Sequence, residues 1–594
     1  RDVERSRGLG DVYKRQAYYT RNSLSARSYI TFGTVREEAR LYGLKLTMNF
    51  GTDYTDYQRT LVYDKEHGNA AQQGGRLSKT NTRTLSYTFN QLLTYDRTFG
   101  DHFLNLLAGH EYYRYKYNYA LGEKTGIVGG IDELGPAVTT TDNNSYSHNY
   151  GVESYLARIN YGFKSRYYID ASWRTDGSSR FHPSDRWGHF WSVGASWRIS
   201  EEQFMENTRQ WLDNLTLKVS YGVQGNDNLG TYYAWQGLYD YTWPNATDAG
   251  AFVDKLENRK VTWEKNGNLN AGIEATMFGG RLGVSVEYYN RKTRDMLLNS
   301  PLPISTGFTG FNDNVGSLRN QGLEVSLRGT ILDKRDFRWD ATLMGSFNRN
   351  KVLSLTGGQD VITSGIRVIE VGRPIYTFYL PKTAGVDPAT GKQLYYAYWT
   401  QTVNDEGALV NTRCDEYITD NVAMATLSKY YHESREPKLF GSIGSTFTIL
   451  KNIDVSFLTT YSIGGWVYDG LYNGSMYVQY AGNNWHKNAK RRWQKPGDKT
   501  DVPMLEVGGS YATASNSLID ASYFAIKNIT VGYTLPKRWL KKIDIESLRI
   551  YATLDNIAMF NHMDGMDPQY NFTGSVAYSY TPSRVIAFGI DLNF

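Results

Sequence analysis

The chain has 594 residues and a formal net charge of only +5, with both signs scattered along it, which excludes the concentrated basic footprint of a nucleic-acid-binding protein. No apolar run reaches the roughly 18 residues of a membrane-spanning helix, and Cys414 is the only cysteine, which excludes a disulfide framework and a multi-cysteine metal site. Aromatics make up 14% of the residues, with 57 Gly against 14 Pro, a vocabulary of strands and turns.

Taken in chain order, the dominant signal is a strict period of two. Leu44, Leu46, Met48 and Phe50 alternate with Lys45, Thr47 and Asn49, and Trp191, Val193, Ala195, Trp197 and Ile199 alternate with Ser192, Gly194, Ser196 and Arg198. The same holds for Leu215, Leu217, Val219, Tyr221 and Val223, for Leu282, Val284, Val286 and Tyr288, and for Leu548, Ile550, Ala552 and Leu554. Each strand therefore has one apolar and one polar face. Seventeen strands are predicted, at 24–33, 43–56, 76–98, 102–118, 144–164, 166–176, 187–199, 215–225, 262–278, 281–298, 314–331, 337–351, 438–449, 453–464, 522–535, 547–556 and 583–594.

Two architectures want this pattern. A sandwich uses strands of about five or six residues, whereas a transmembrane barrel needs about nine to eleven. The runs at 76–98, 144–164 and 281–298 exceed what a sandwich needs. Joins after odd-numbered strands are short, as at Lys164–Arg166, Phe278–Arg281 and Leu450–Ile453, with a helix-like join at Glu201–Asn214; joins after even-numbered strands run longer, the largest from Val352 to Pro437. Short turns at one rim and long loops at the other are the mark of an outer-membrane barrel. The expected fold class is all-β, a transmembrane antiparallel β-barrel. In the last strand Ile586, Phe588, Ile590, Leu592 and Phe594 alternate with Ala587, Gly589, Asp591 and Asn593, which resembles the signal read by the outer-membrane assembly machinery.

Four stretches carry a family resemblance. They are ASWRTDGSSRF from Ala171 with LTLKVSYGVQGN from Leu215; YYNRKTRDMLLNSPLPISTGF from Tyr288 with NVGSLRNQGLEVSL from Asn314; VGRPIYTFYLPKTAGVDPATGK from Val371; and ASYFAIKNITVGYTLPKRWL from Ala521. In their order and spacing, from about Leu41 onward, the chain resembles the SusC/RagA family of TonB-dependent transporters. Met566 and Gln569 depart from the family's usual Tyr and Glu. The resemblance implies a barrel of about 22 strands plugged by an N-terminal domain, a SusD-like lipoprotein lid, and import of oligosaccharides or peptides driven by TonB with ExbB and ExbD. On that reading the chain is a truncated barrel, about strands six to twenty-two, with the plug absent. Residues 1–16 are expected to be a non-native leader, since Asp11 to Gln16 translates a sequence like a transposon end used in DNA sequencing; the partial barrel is expected to occupy 17–594.

Catalytic and metal chemistry is not expected, and no cofactor is implied. The segment from Gly385 to Lys392 has five residues between its glycines where a phosphate loop needs four, and Gln393 stands where Ser or Thr should follow. The nine histidines lack the helical spacing of a zinc site. Aromatics at strand ends suit girdles at the lipid interface. Two loop clusters are candidates for contact with substrate or lid: Tyr232, Tyr233, Trp235, Tyr239, Tyr241 and Trp243, and Tyr395, Tyr396, Tyr398 and Trp399. Flat rings with polar tips suit sugar faces or peptide side chains, and equally suit loop packing. A passive porin and a soluble β-rich binding or structural protein are the alternatives to energised import.

Overall fold

A computed structural model describes residues 15–33, 42–243, 245–248, 250–355, 360–476, 484–506, 509–541, 545–563, 565–569, 573–576 and 581–593. Seventeen long strands dominate it: β1 (Arg15–Gly33), β2 (Leu44–Tyr63), β3 (Arg76–Phe99), β4 (His102–Thr125), β5 (Thr139–Phe163), β6 (Tyr167–Ser178), β7 (Trp187–Arg198), β8 (Leu212–Asn226), β9 (Glu264–Met277), β10 (Leu282–Arg294), β11 (Ser317–Lys334), β12 (Phe337–Ser354), β13 (Leu439–Ile449), β14 (Ile453–Ile463), β15 (Tyr523–Thr534), β16 (Ser547–Asn561) and β17 (Val585–Asn593). Each answers to one expected strand. The join between β7 and β8 is two 3-10 turns, Ile199–Glu201 and Gln203–Thr208. No helix of the described residues is long and apolar enough to cross a membrane. Arg15 and Gln16, the end of the expected leader, open β1 opposite Tyr63 and Val62.

The chain divides into two compact units. In the first, β1 to β6 form an antiparallel meander in which each strand pairs with the next. Opposed residues share a face, so the register turns alternation along one strand into rows across many. Leu46, Leu93, Ala108, Ala157 and Trp173 make one row; Leu93, Ile159, Ile169 and Trp173 on this face are exposed. The reverse face carries Asn49, Asn90, Glu111, Ser154 and Asp176 in line. There Asn49 Nδ2 donates to Asn90 Oδ1 at 2.7 Å, and Arg174 reaches Asp176 at 2.6 Å and Glu111 at 3.0 Å.

The second unit repeats the logic in β11 to β17. Trp339, Phe447, Val455, Val531, Ala552 and Phe588 form an outer apolar row, and Asp340, Thr446, Ser456, Thr530, Thr553 and Ala587 the polar row behind it. Gly532 sits where a Cβ would come within 2.5 Å of Asp454 Oδ1 and 2.6 Å of Arg549 Nη2. Its missing side chain makes room for the Arg549–Asp454 ion pair at 2.6 Å.

The short turns are built under strain. Lys164 and Ser165 have φ of 53° and 52°, and Leu450 and Lys451 have 51° and 65°, a left-handed region costing roughly 1–2 kcal/mol per non-glycine residue. Two consecutive residues there make the turn whose twist matches a hairpin's strands. At the opposite rim the joins lengthen from β8 onward, to 227–263 and 295–316 and to 355–438 and 464–522. Buried apolar clusters gather in the loops and at the loop-side ends of the strands. Phe181, Phe190, Ala234, Val261 and Trp263 cluster in the first unit, and Phe378, Leu380 and Tyr468 in the second. Along most of their length the strands turn large apolar side chains outward, and the buried apolar clusters gather towards the loop end, the inverse of a water-soluble β-protein.

Candidate functional site

The hairpin of β4 and β5 rises beyond the apolar rows and changes character. From Tyr112 to Tyr119 the sequence reads YYRYKYNY, and period two places Tyr113, Tyr115, Tyr117 and Tyr119 on the inner, polar face, with Arg114, Lys116 and Asn118 outside. Tyr115 lies opposite Tyr150, Tyr117 opposite His148 and Tyr119 opposite Tyr146. The rings form a ladder: Tyr119 and Tyr146 stack at 4.7 Å between centroids, Tyr117 and His148 at 5.8 Å, and Tyr113 meets Tyr150 edge-on at 6.0 Å. These inner tyrosines are half-buried, and Tyr146 is exposed.

The loop after β8 adds two rungs. Tyr232 stacks on Tyr115 at 5.8 Å and lies 5.3 Å from His148, while the Tyr233 hydroxyl accepts the Asn149 N–H at 3.1 Å. A polar knot holds that loop down. Arg180 Nη1 donates to Asp227 Oδ1 at 3.2 Å, and Asp227 Oδ2 accepts from the Tyr150 hydroxyl at 2.8 Å and from Ser178 Oγ at 2.6 Å. The Arg180 guanidinium also sits over Tyr150 at 4.6 Å and Tyr232 at 5.2 Å, a cation–π arrangement. His148 Nδ1 is buried and has no hydrogen-bond partner among the described residues.

Of the first expected cluster, the structure thus brings Tyr232 and Tyr233 onto the strand ladder. Trp235 packs edge-on to His182 at 5.0 Å beside the buried loop core. Tyr239, Tyr241 and Trp243 stay exposed; Tyr239 lies 6.5 Å from Tyr241, and Trp243 contacts Phe252.

The second cluster lies on a loop sheet of Val361–Ser364, Arg367–Glu370, Thr377–Val386, Gln393–Val403 and Leu409–Thr419, with Lys429–Ser434 paired to Thr377–Val386. Tyr395 is only 1% exposed, with its hydroxyl accepting the Ala512 N–H at 3.1 Å, and burial pushes its pKa up to about 12. Its ring is part of a buried loop cluster with Ala425, Ala512 and Ala514. The Tyr398 hydroxyl donates to the Lys429 carbonyl at 2.7 Å, and the Trp399 carbonyl accepts from the Tyr417 hydroxyl at 2.8 Å. Tyr396 faces Lys382 Nζ at 4.4 Å. The phosphate-loop lookalike is a turn: Asp387 accepts from Thr390 and the Ala389 N–H, and Lys392 pairs with Asp420 at 2.7 Å.

Within the second unit a cavity of about 890 Å³ opens on the inner face, lined by the amides of Asn268, Asn320, Asn348 and Asn350, by Glu287, Arg291, Glu324, Arg435 and Glu436, and by apolar and aromatic side chains such as Leu318, Tyr289 and Phe440. Tyr289 donates to Asn348 at 2.9 Å and Asn350 Nδ2 to Asn320 at 2.8 Å. Burial holds the Glu436 carboxyl above its usual range. Amides that both donate and accept, set among charges of both signs, suit a guest rich in hydrogen-bonding groups.

The family described as TonB dependent receptor-like, beta-barrel matches residues 2–557. The chain belongs to that family. It is 27% identical to TonB-dependent receptor SusC of Bacteroides thetaiotaomicron, over 93% of this chain and 54% of that protein, and 27% identical to TonB-dependent receptor P26 of Formosa agariphila, over 88% and 54%. It superposes on the structure of the RagAB peptide transporter with a TM-score of 0.84 at 26% identity, over 98% of this chain and 63% of that one. The chain spans about half the length of the curated relatives it matches. It is a SusC/RagA-type outer-membrane barrel, from a family of receptors and transporters rather than enzymes.

In a TonB-dependent receptor barrel the outward rows face lipid and the inward rows a wet lumen. Ile586, Phe588, Ile590 and Leu592 lie on the outward face of β17, opposite Leu554, Ala552, Ile550 and Leu548, and all four are exposed. Phe594, the last of that expected signal, lies outside the described residues. Tyrosines near strand ends also suit interfacial girdles, which hides the strand tyrosines of the ladder in the sequence. The available signal was the spacing: Tyr113, Tyr115, Tyr117 and Tyr119 fall on the face opposite that of Leu104, Leu106 and Ala108.

Proposed function

We propose that the protein carrying this barrel imports a large nutrient across the outer membrane, energised through TonB with ExbB and ExbD and aided by a SusD-like lipoprotein. The observation that carries the reading is the inner ladder of Tyr113, Tyr115, Tyr117, Tyr119, Tyr146, His148, Tyr150, Tyr232 and Tyr233, set on the lumen side of a SusC/RagA-type barrel. A run of neutral rings with hydroxyl tips suits a chain of sugar rings: the apolar face of each ring stacks, and the hydroxyls exchange hydrogen bonds. The cavity of the second unit, with its amides and charges of both signs, offers further hydrogen-bond partners to such a cargo.

A peptide cargo is the second reading, favoured by the likeness to a peptide transporter; the same rings would take apolar side chains and peptide planes. Uptake of a labelled panel of oligosaccharides and peptides, by cells with and without TonB, tests the proposal. Energised import requires uptake of at least one of them that stops when TonB is removed. Uptake at the same rate without TonB would make the barrel a passive porin.

A further inference from the structure

Above the lipid-facing rows the outer surface of the first unit becomes basic. Counting from the short-turn rim, the outward rows run from Phe99, His102, Phe163 and Tyr167 up to Phe50, Phe89 and Tyr112. From Phe99 to Phe89 is five steps of two residues. Each step advances about 6.6 Å along a strand, or about 5 Å along the membrane normal at a tilt of about 40°. Five steps cover about 25 Å, the height of the apolar band of such a barrel. The next rows are Thr52, Tyr87, Arg114 and Gly151; Tyr54, Leu85, Lys116 and Asn149; and Asp56, Arg83, Asn118 and Ser147. Arg114, Lys116 and Arg83 therefore stand about 5–15 Å above the band, at the depth of the outer-leaflet headgroups.

The cluster is organised. Arg114 Nε donates to the Tyr112 hydroxyl, and its guanidinium lies 5.2 Å from that ring. Its side chain lies across Gly151, where a Cβ would come within 3.0 Å of Cδ and Nη1. With Nε engaged on Tyr112 and the side chain exposed, its terminal nitrogens stand open to an anion. Arg83 has a partner in Asp56 at 3.5 Å, but no ion pair to Arg114 or Lys116 occurs among the described residues. Ser147 Oγ donates to Asn118 Oδ1 at 2.8 Å, which turns the Asn118 amide nitrogen into a spare donor beside the cations.

We propose that Arg114, Lys116 and Arg83, with Asn118, bind the phosphorylated sugar headgroup of an outer-leaflet glycolipid. A guanidinium fork and an ammonium next to amide donors match a phosphate ester on a sugar, and membrane depth brings the headgroup to them. The site is separate from cargo transport, since it lies on the opposite face of β4 from the tyrosine ladder.

The test uses the full-length protein in mild detergent, titrated with diphosphorylated lipid A and read by native mass spectrometry. Arg114→Gln with Lys116→Gln should weaken binding about tenfold or more while outer-membrane levels and heat-modifiable gel mobility stay at those of the parent. Lys116→Gln alone should weaken it about threefold, and this guards against poor assembly of the double variant. Lipid A stripped of phosphate should bind no better than the double variant binds the intact lipid. Undiminished binding in both variants, or equal binding of dephosphorylated lipid A, would overturn the proposal. Displacement of lipid A by an equal concentration of inorganic phosphate would overturn it too, in favour of a free-anion site.

Discussion

Replacing Asp227 by Ala tests whether the polar knot holds the loop after β8 on the ladder. Asp227 and Arg180 have side chains only 14% and 12% exposed and are paired at 3.2 Å, and Asp227 also accepts the hydroxyls of Tyr150 and Ser178. Removing one partner of a buried pair costs about 3–5 kcal/mol. The remaining exposure places this pair at the lower end, about 3 kcal/mol, or roughly a hundredfold in the opening equilibrium of the loop. Asp227→Asn keeps an acceptor for the two hydroxyls and loses the charge, so it should cost about half as much. Hydrogen exchange followed by mass spectrometry reads this directly: protection of peptides covering 227–243 should fall about a hundredfold in Asp227→Ala and about tenfold in Asp227→Asn, with β6 near Tyr167 unchanged. Equal protection in all three proteins would refute the reasoning.

Further outcomes follow from other parts of the molecule. Leu93→Arg puts a charge in the middle of the lipid-facing rows and should cost about 2–4 kcal/mol of stability in liposomes, whereas Thr47→Arg on the lumen face should cost less than about 1 kcal/mol; equal costs in urea unfolding would mean the faces are misassigned. His432 donates from Nε2 to the Leu380 carbonyl at 3.1 Å, and burial, with Lys382 nearby, lowers its pKa below 6.5. The folded loop therefore binds fewer protons than the unfolded one, and its stability is full above about pH 6.5 and falls as the pH drops toward the folded-state value. Limited proteolysis at pH 7.5 and 5.5 should show faster cutting of 361–434 at the lower pH in the parent and a smaller difference in His432→Gln; a parent insensitive to pH would count against this. Deleting Phe594 should lower outer-membrane levels without changing transport per inserted molecule, and unchanged insertion would remove it from the assembly signal.

The strands were legible because period two is a geometric consequence of the pleat and because one face of each must meet lipid. Errors concentrate at the loop-side ends. β2 runs to Tyr63 rather than residue 56, β4 to Thr125 rather than 118, and β5 begins at Thr139 rather than 144. There both faces are wet, so the apolar–polar alternation that reports a strand fades while the hydrogen-bonded ladder continues. The outward apolar side chains of β17 were legible, and the tyrosine ladder was not, for one reason: period two shows where apolar side chains go, and tyrosine is at home on either face. The loop sheet between β12 and β13 was invisible for another reason. Thr377–Val386 buries residues of both faces around Phe378, and Gln393–Val403 buries Gln393, Tyr395 and Ala397 while Leu394 and Tyr396 occupy its other face, so neither sequence shows a one-sided apolar pattern, and the burial of Tyr395 comes from tertiary packing.

The most direct test of the account is the initial rate of cargo uptake by energised cells carrying Tyr117→Ala with Tyr119→Ala, compared with the parent at equal surface levels. Losing two rungs of the ladder, each ring worth about 0.5–1.5 kcal/mol beyond its buried area, should lower uptake at limiting cargo about tenfold or more and leave the rate at saturation nearly unchanged. An unaltered rate at limiting cargo would mean that the inner tyrosines do not meet the cargo.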